Sequence, residues 1–283
     1  MLLPDLRQAA RRPLQDSSFE DEELDLYANE ALRLAASRVF LPDLEAAAAV
    51  AVPAGAAGAA LPGNFQKHLF AAVGADGRKL IVVTAPADIR RLDLERQAAG
   101  AIRHVAQAGN GLRVWPAPVA GEAIRLSYFR LPRTMAQTSG PVAFRAAGSL
   151  LSADAPRFDR FRFGDAFTVS GSAANDGAYT VEAASDAWCR VAEAVTDEAA
   201  VLVNIEAKAV EGVPEYLHRD VVLPGLLARA FDSREDAFEG KRNALHYRAL
   251  FEEGLRALKL DIVSSGWRPP PAGPSGTSQR LLA

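Results

Sequence analysis

The sequence predicts an α+β protein. Its expected parts are a helix near the N-terminus, a helix pair near the C-terminus, a strand-rich middle, an inserted β-module and an extended tail. Three observations predict it. Apolar residues recur at helical spacing over 19–40 and again after Val213, short apolar runs broken by Gly and Pro fill 65–132, and aromatics concentrate over 144–188 with little helical periodicity. The segments read as 1–137 (helix plus strands), 138–205 (module), 206–262 (helices) and 263–283 (tail).

In the first helix, Leu24, Tyr27, Ala28, Ala31, Leu34 and Ala35 line one face between Phe19 and Phe40. Ser17 with Glu20 three residues on fits a capping box, and the acidic run Glu20–Glu23 suits the positive end of the helix dipole. The Ala-rich run from Glu45 to Ala60 is interrupted by Pro53, Gly55 and Gly58 and reads as a loop or linker.

From Phe65 to Pro132 the runs LFAAV, KLIVVTA, IRHVAQ, LRVWP and AIRLSYF read as strands. Ile89, Leu92 and Ala99 place a short helix over 88–99, and Gly109-Asn110-Gly111 should turn IRHVAQ into LRVWP as a hairpin. Pro132–Gly140 marks a boundary. Beyond it, VSGSAANDGAYTV carries alternating residues on both sides of Asn175-Asp176-Gly177, the pattern of a β-hairpin. The rival reading is a calcium loop using Asp165, Asn175 and Asp176, but the alternating ligand positions and the closing Glu of an EF-hand are missing. Leu202, Val203 and Ile205 form the module's closing strand.

Pro214 suits a first helical position, and PEYLHRDVVLPGLLARAF carries Leu217, Val221, Val222, Leu226, Leu227 and Phe231, with Pro224 expected to kink or divide the helix. A second, antiparallel helix should cover 233–260 with a stripe of Ala244, Tyr247, Phe251, Leu255 and Leu258. The tail SSGWRPPPAGPSGTSQRLLA is too rich in Pro, Gly and Ser to bury a core of its own.

Composition narrows the function classes. At roughly 150 residues per domain, 283 residues make one large domain or two ordinary ones. A net charge of -3 argues against a dedicated nucleic-acid binder, although Arg130–Arg133 and Arg157–Arg162 are local basic runs. The single cysteine, Cys189, excludes an internal disulfide and a Cys-based zinc cluster, and beside Trp188 it reads as a packed hydrophobe in a chain suited to a reducing cytosol. No stretch approaches the ~18 apolar residues of a membrane helix, so no membrane association is expected.

Motif searching identifies no catalytic, cofactor or metal residues. Glu215 and His218 make one Glu-x-x-His where a di-iron bundle needs two, so His218 reads as a helix-surface or interface residue. Ser170-Gly171-Ser172 lies inside a hairpin and not on a nucleophile elbow, and the Gly-Asn-Gly turn leads into a strand and not a phosphate-binding helix.

The order of elements is informative in itself. A capped helix precedes GNGLRVWPAP and a strand ending YFRLP, and a PEYLHRDVV helix precedes NALHYRALFEEGLRAL. This order resembles the head-to-tail adaptor proteins of tailed bacteriophages, over about 17–131 and 213–259, with the β-module as an insertion into the helical adaptor core. The long Ala-rich segment and Pro224 depart from the pattern.

The resemblance implies a structural virion protein at the neck, assembled in the host cytoplasm. It would form a ring, twelvefold by family resemblance, that joins the portal protein to a downstream tail or nozzle protein. Neighbouring adaptor copies are then partners, and DNA passes through without sequence-specific binding. The tail would dock on partners through Trp267 as anchor with Arg268, and farther along through Arg280, Leu281 and Leu282. The alternative is a virion-associated carbohydrate-binding or hydrolytic protein, which requires the module aromatics exposed on one face; the adaptor reading expects them buried.

Overall fold

The computed structural model describes residues 1–15, 19–92, 98–233 and 238–271. The protein is α+β, with 30% of residues in helices and 34% in strands. Its described residues divide into two compact units, 1–41 with 132–266, and 42–131 with 267–271.

The first unit begins with a helix that the sequence reading did not assign, α1 (Leu3–Leu14). Pro4 sits in the first turn, where its missing N–H costs nothing, and Asp5 accepts the Leu2 backbone N–H at 3.0 Å. Leu3, Leu6, Ala10 and Leu14 are buried along one face. The second helix, α2 (Asp21–Arg38), starts where the Glu20 N–H donates to the Glu23 carboxylate at 3.2 Å. Its cap is therefore Glu20/Glu23 and not the expected Ser17/Glu20, and Ser17 lies outside the described residues.

A buried ion pair joins these helices. Arg7 donates Nε to Asp25 Oδ1 at 2.7 Å and Nη2 to Oδ2 at 2.6 Å, while Nη1 reaches Asp21 at 3.0 Å and Gln137 at 3.3 Å. Asp25 is 0% exposed. One turn on, the Asn29 amide pairs with a peptide unit: Nδ2 donates to the Met135 carbonyl at 2.7 Å and Oδ1 accepts the Met135 N–H at 2.8 Å. These bonds fasten α2 to the entry of the barrel.

Residues 136–207 close into a six-stranded barrel. Its strands are β8 (Ala136–Arg145), β9 (Leu150–Ser152), β10 (Ala166–Ser170), β11 (Gly177–Ala184), β12 (Trp188–Val191) and β13 (Glu198–Ala207), in the order β10-β11-β12-β9-β8-β13 with β13 pairing back to β10. Every pairing is antiparallel. Inward-facing Val142, Phe144, Phe167, Val169, Val181, Val191, Val203 and Ile205 fill it, with Phe158 and Phe161 from the connection before β10. The expected hairpin is β10 with β11, paired from Ala166–Thr180 to Val169–Gly177.

The C-terminal helices are α4 (Val222–Asp232) and α5 (Phe238–Ser264). Pro224 sits in the first turn of α4, so the helix does not run through from Pro214, where a single 3-10 turn (Glu215–Leu217) stands instead. Phe231 stacks on Tyr247 with centroids 5.5 Å apart, Arg248 pairs with Asp232 at 2.6 Å, and Gly225 lies against Phe251. Residue numbers rise on one helix as they fall on the other, which makes the pair antiparallel. The stripe on α5 is as read, with Ala244, Phe251, Leu255 and Leu258 buried. Arg38 ion-pairs with Glu252 between α2 and α5.

In the second unit the Ala-rich run is not a loop. It forms β1 (Glu45–Val52) and β2 (Gly58–Ala60), separated by a turn with Gly55 at φ +71. Ala46, Ala48, Val50 and Val52 face the core, and all eight residues of β1 pair in unbroken register with β7 (Glu122–Arg130). Alanine has little β preference of its own, so the strand exists through this pairing. On its other side β7 pairs with β3 (Phe65–Gly74), giving the order β1-β7-β3.

A second sheet has the order β2-β6-β5-β4, with β4 (Ile81–Val83), β5 (His104–Ala108) and β6 (Gly111–Trp115). The β5–β6 hairpin turns at Gly109-Asn110, as expected. β4 runs parallel to β5, and α3 (Pro86–Leu92) lies in the crossover between them. The expected helix reached Ala99; residues 93–97 lie outside the described residues, and Ala99 bridges to Ala117.

Two substitutions measure this packing. A Cβ at Gly254 meets the Asp220 carbonyl, a backbone atom that cannot swing aside, so Gly254→Ala is expected to cost about 1–3 kcal/mol in urea unfolding. Asp25→Asn strands the Arg7 guanidinium in a buried site, with an expected loss of about 3–5 kcal/mol in the same assay.

Candidate partner-docking site

The tail segment leaves α5 through Ser265 and Gly266, whose φ of +80 is the left-handed conformation that ends helices and that Gly adopts without strain. Trp267 follows, half-buried. Its ring meets Phe129 edge-on, with centroids 6.0 Å apart and planes at 88°, a favoured aromatic arrangement. Three residues on, the Pro270 carbonyl accepts a hydrogen bond from His68 Nε2 at 2.7 Å.

His68 is held unusually. It lies in β3 where the register with β7 shifts between Lys67 and Ala71, and its φ is +57. Non-glycine residues pay about 1–2 kcal/mol for that conformation, so the contacts around the bulge must hold it. The ring packs 6.1 Å from Phe70 and 6.0 Å from Phe129, which in turn lie 5.7 Å apart. His68, Phe70 and Phe129 thus form one aromatic cluster, and Trp267 packs on its Phe129 member.

Of the five docking residues read from the sequence, Trp267 is half-buried on this cluster and Arg268 is exposed, while Arg280, Leu281 and Leu282 lie outside the described residues. The cluster itself was missed. Its signal was HLF in an otherwise regular strand, but a bulge depends on register with a strand far along the chain.

The candidate calcium ligands do not converge on a site. Asp165 accepts the Thr134 N–H at 2.9 Å and the Arg162 N–H at 2.8 Å, and burial pushes its carboxyl above the usual range. Asn175 plugs the hairpin loop, donating to the Thr196 carbonyl at 3.1 Å and to Glu198 at 2.8 Å and accepting the Thr196 N–H at 2.7 Å. Asp176 accepts the Ser172 N–H at 2.7 Å. Glu198 completes the loop: the Ser172 hydroxyl, the Ala173 N–H and the Asn175 amide all donate to it and hold its carboxyl below the usual range. The Asn-Asp-Gly stretch is a change of chain direction, closed by side chains.

His218 overturns the surface reading. It is 5% exposed, its Nε2 donates to the Val213 carbonyl at 2.8 Å, and its Nδ1 lies 2.9 Å from the Met1 ammonium, which also pairs with Glu215. Burial lowers its pKa against the pull of the Val213 carbonyl, and the Met1 ammonium lowers it further. Cys189 is buried, and burial raises its thiol to about 12, which leaves it protonated and unreactive.

The module aromatics divide. Phe144, Phe158, Phe161, Phe167 and Tyr179 are buried in the barrel core, whereas Phe163 and Trp188 are 44% and 36% exposed. An aromatic face for sugar would need most of them outward.

Comparison with known proteins adds one decisive finding. The sequence model of the SU10 adaptor protein family matches residues 1–188. The chain belongs to the SU10 adaptor protein family. It is a bacteriophage adaptor, a structural component of the virion. The match runs from Met1 to the first residue of β12, taking in α1 and much of the barrel, whereas the resemblance read from motifs lay over 17–131 and 213–259. A search of curated proteins gives no match. No helix among the described residues of the adaptor is long and apolar enough to cross a membrane.

The buried imidazole predicts a pH dependence. Because the His218 pKa is lowered on folding, the folded state binds fewer protons below about 6.5, the unfolded value. Its stabilising share is therefore complete above that pH and is lost as pH falls toward the folded pKa. His104 shifts the same way through burial. Urea unfolding between pH 7 and pH 5 should show stability falling with pH, with a shallower slope in His218→Asn.

Proposed function

We propose that this adaptor forms a ring that joins the portal to the tail and extends the DNA channel. Membership of the SU10 adaptor family is the observation that carries the reading. A closed ring needs heterologous contacts, so each copy presents two different complementary surfaces that meet by rotation. The antiparallel helices, pinned to the barrel through α2, suit a rigid body of that kind. A ring of twelve copies is the family expectation.

The reading assigns the tail to docking. Trp267 and Arg268 engage the portal first, and Arg280, Leu281 and Leu282 extend the contact. Neighbouring copies, the portal and a downstream tail or nozzle protein are the partners, at the neck of a virion assembled in the host cytoplasm. The small net charge of -3 suits a channel wall along which DNA slides without sequence-specific contacts.

Electron microscopy of the adaptor mixed with the portal of the same phage tests the reading, with a closed ring on the portal end as the expected image. Deletion of 264–283 should weaken co-sedimentation with the portal by at least about tenfold, the factor that loss of one aromatic hot spot carries. Undecorated portals would defeat the ring reading; full binding by the truncated chain would defeat the tail assignment alone.

A further inference from the structure

We propose that residues 267–271 form an intramolecular latch in the free adaptor, with Trp267 parked on Phe129 and Pro270 held by His68 until a portal takes the tail. The proposal rests on the portal-docking reading above and adds a regulatory step to it.

Two contacts of different chemistry define the latch. The Trp267 ring packs T-shaped against Phe129, and the Pro270 carbonyl receives the His68 Nε2–H at 2.7 Å. Both receiving residues belong to the 42–131 unit, and residues 267–271 group with that unit and not with the helix they leave. The change of allegiance falls at Gly266, whose left-handed φ of +80 makes the break in direction inexpensive. Pro269, Pro270 and Pro271 stiffen the segment, so fixing Trp267 and Pro270 costs less chain entropy than a flexible tail would.

The cluster is built for this occupant. His68 takes its left-handed φ at the bulge, with its ring against Phe70 and Phe129 and its Nε2 directed at Pro270. A side chain that packs on Phe129 cannot at the same time fill a pocket on another protein. Portal binding through Trp267 therefore competes with the latch, and the apparent affinity is reduced by the latched fraction.

His68→Gly tests the competition. Glycine keeps the φ of the bulge without strain while removing the donor to Pro270 and one member of the cluster. In a Trp115→Phe, Trp188→Phe background Trp267 is the sole tryptophan of the three in the chain, and its acrylamide quenching in the free protein reads the latch directly. Quenching should increase in His68→Gly, and the same substitution should tighten binding to the phage's own portal about three- to tenfold, the factor carried by one net hydrogen bond.

Unchanged quenching would overturn the latch. Increased quenching with unchanged or weaker portal binding would overturn the competition. If the parent chain does not bind the portal at all, the docking reading falls and the competition with it, while the quenching ratio still decides whether Trp267 is held on Phe129.

Discussion

The first unit depends on one buried polar constraint, the two-pronged ion pair between Arg7 and Asp25. Asp25 is fully enclosed, so its charge is tolerated only because both carboxylate oxygens accept from one guanidinium. Burial alone would lower the pKa of Arg7, but its bond to Asp25 and the charges of Asp25 and Asp21 outweigh it and keep the guanidinium firmly ionised. Such a pair adds little net stability over apolar side chains of the same size, because desolvation consumes most of the attraction. It does impose geometry: Arg7 comes from α1, Asp25 from α2, and Gln137 on β8 takes a further donor. Two helices and the barrel entry are thereby set in one register, and the Asn29–Met135 pairing repeats the restraint a turn along α2.

That constraint also explains what was legible in the sequence. The stripes on α2 and α5 could be read because helical amphipathicity is local, and Ala28 or Leu258 carries the same meaning whatever lies opposite. The two hairpins were legible for the same reason, since Gly109-Asn110 and the alternation around Val169 and Tyr179 encode them within a few residues. Elements defined by distant partners were not. β1 is a strand because β7, far along the chain, supplies its ladder, and its own Ala-rich composition pointed to a linker. His218 looks like a surface residue until the N-terminus folds over it. α1 is the exception, since Leu3, Leu6, Ala10 and Leu14 already carried helical spacing, and Pro4 and Pro13 obscured it.

The hairpin loop shows how a local signal can be right in kind and incomplete in detail. Asn-Gly and Asp-Gly pairs favour tight two-residue turns, yet here the ladder ends at Val169–Gly177 and the connection is longer. Asn175 is buried and spends its amide on Thr196 and Glu198, and the Tyr179 hydroxyl donates to its carbonyl at 2.8 Å. A polar residue in a loop tip thus acts as the plug of one barrel end. The sequence pattern reveals the reversal of direction, but only the closed barrel brings residues 172–176 against 196–198.

The two units manage their strand edges in opposite ways. The barrel closes on itself, with β13 pairing back to β10, so it presents no free end strand. The three-stranded sheet of the other unit stays open. One edge, β3, is bulged at His68 and covered near its end, where the Leu80 N–H donates to Ala72 and the Gly74 N–H to Arg78. The opposite edge, β1, pairs among the described residues only with β7 and carries methyl groups where a protected edge would carry Lys or Pro. The bulge that disrupts β3 for strand pairing is the feature that aims His68 at Pro270. In this adaptor the device that guards one sheet edge therefore doubles as the receptor for its own tail, which ties the position of Trp267 to the integrity of the sheet.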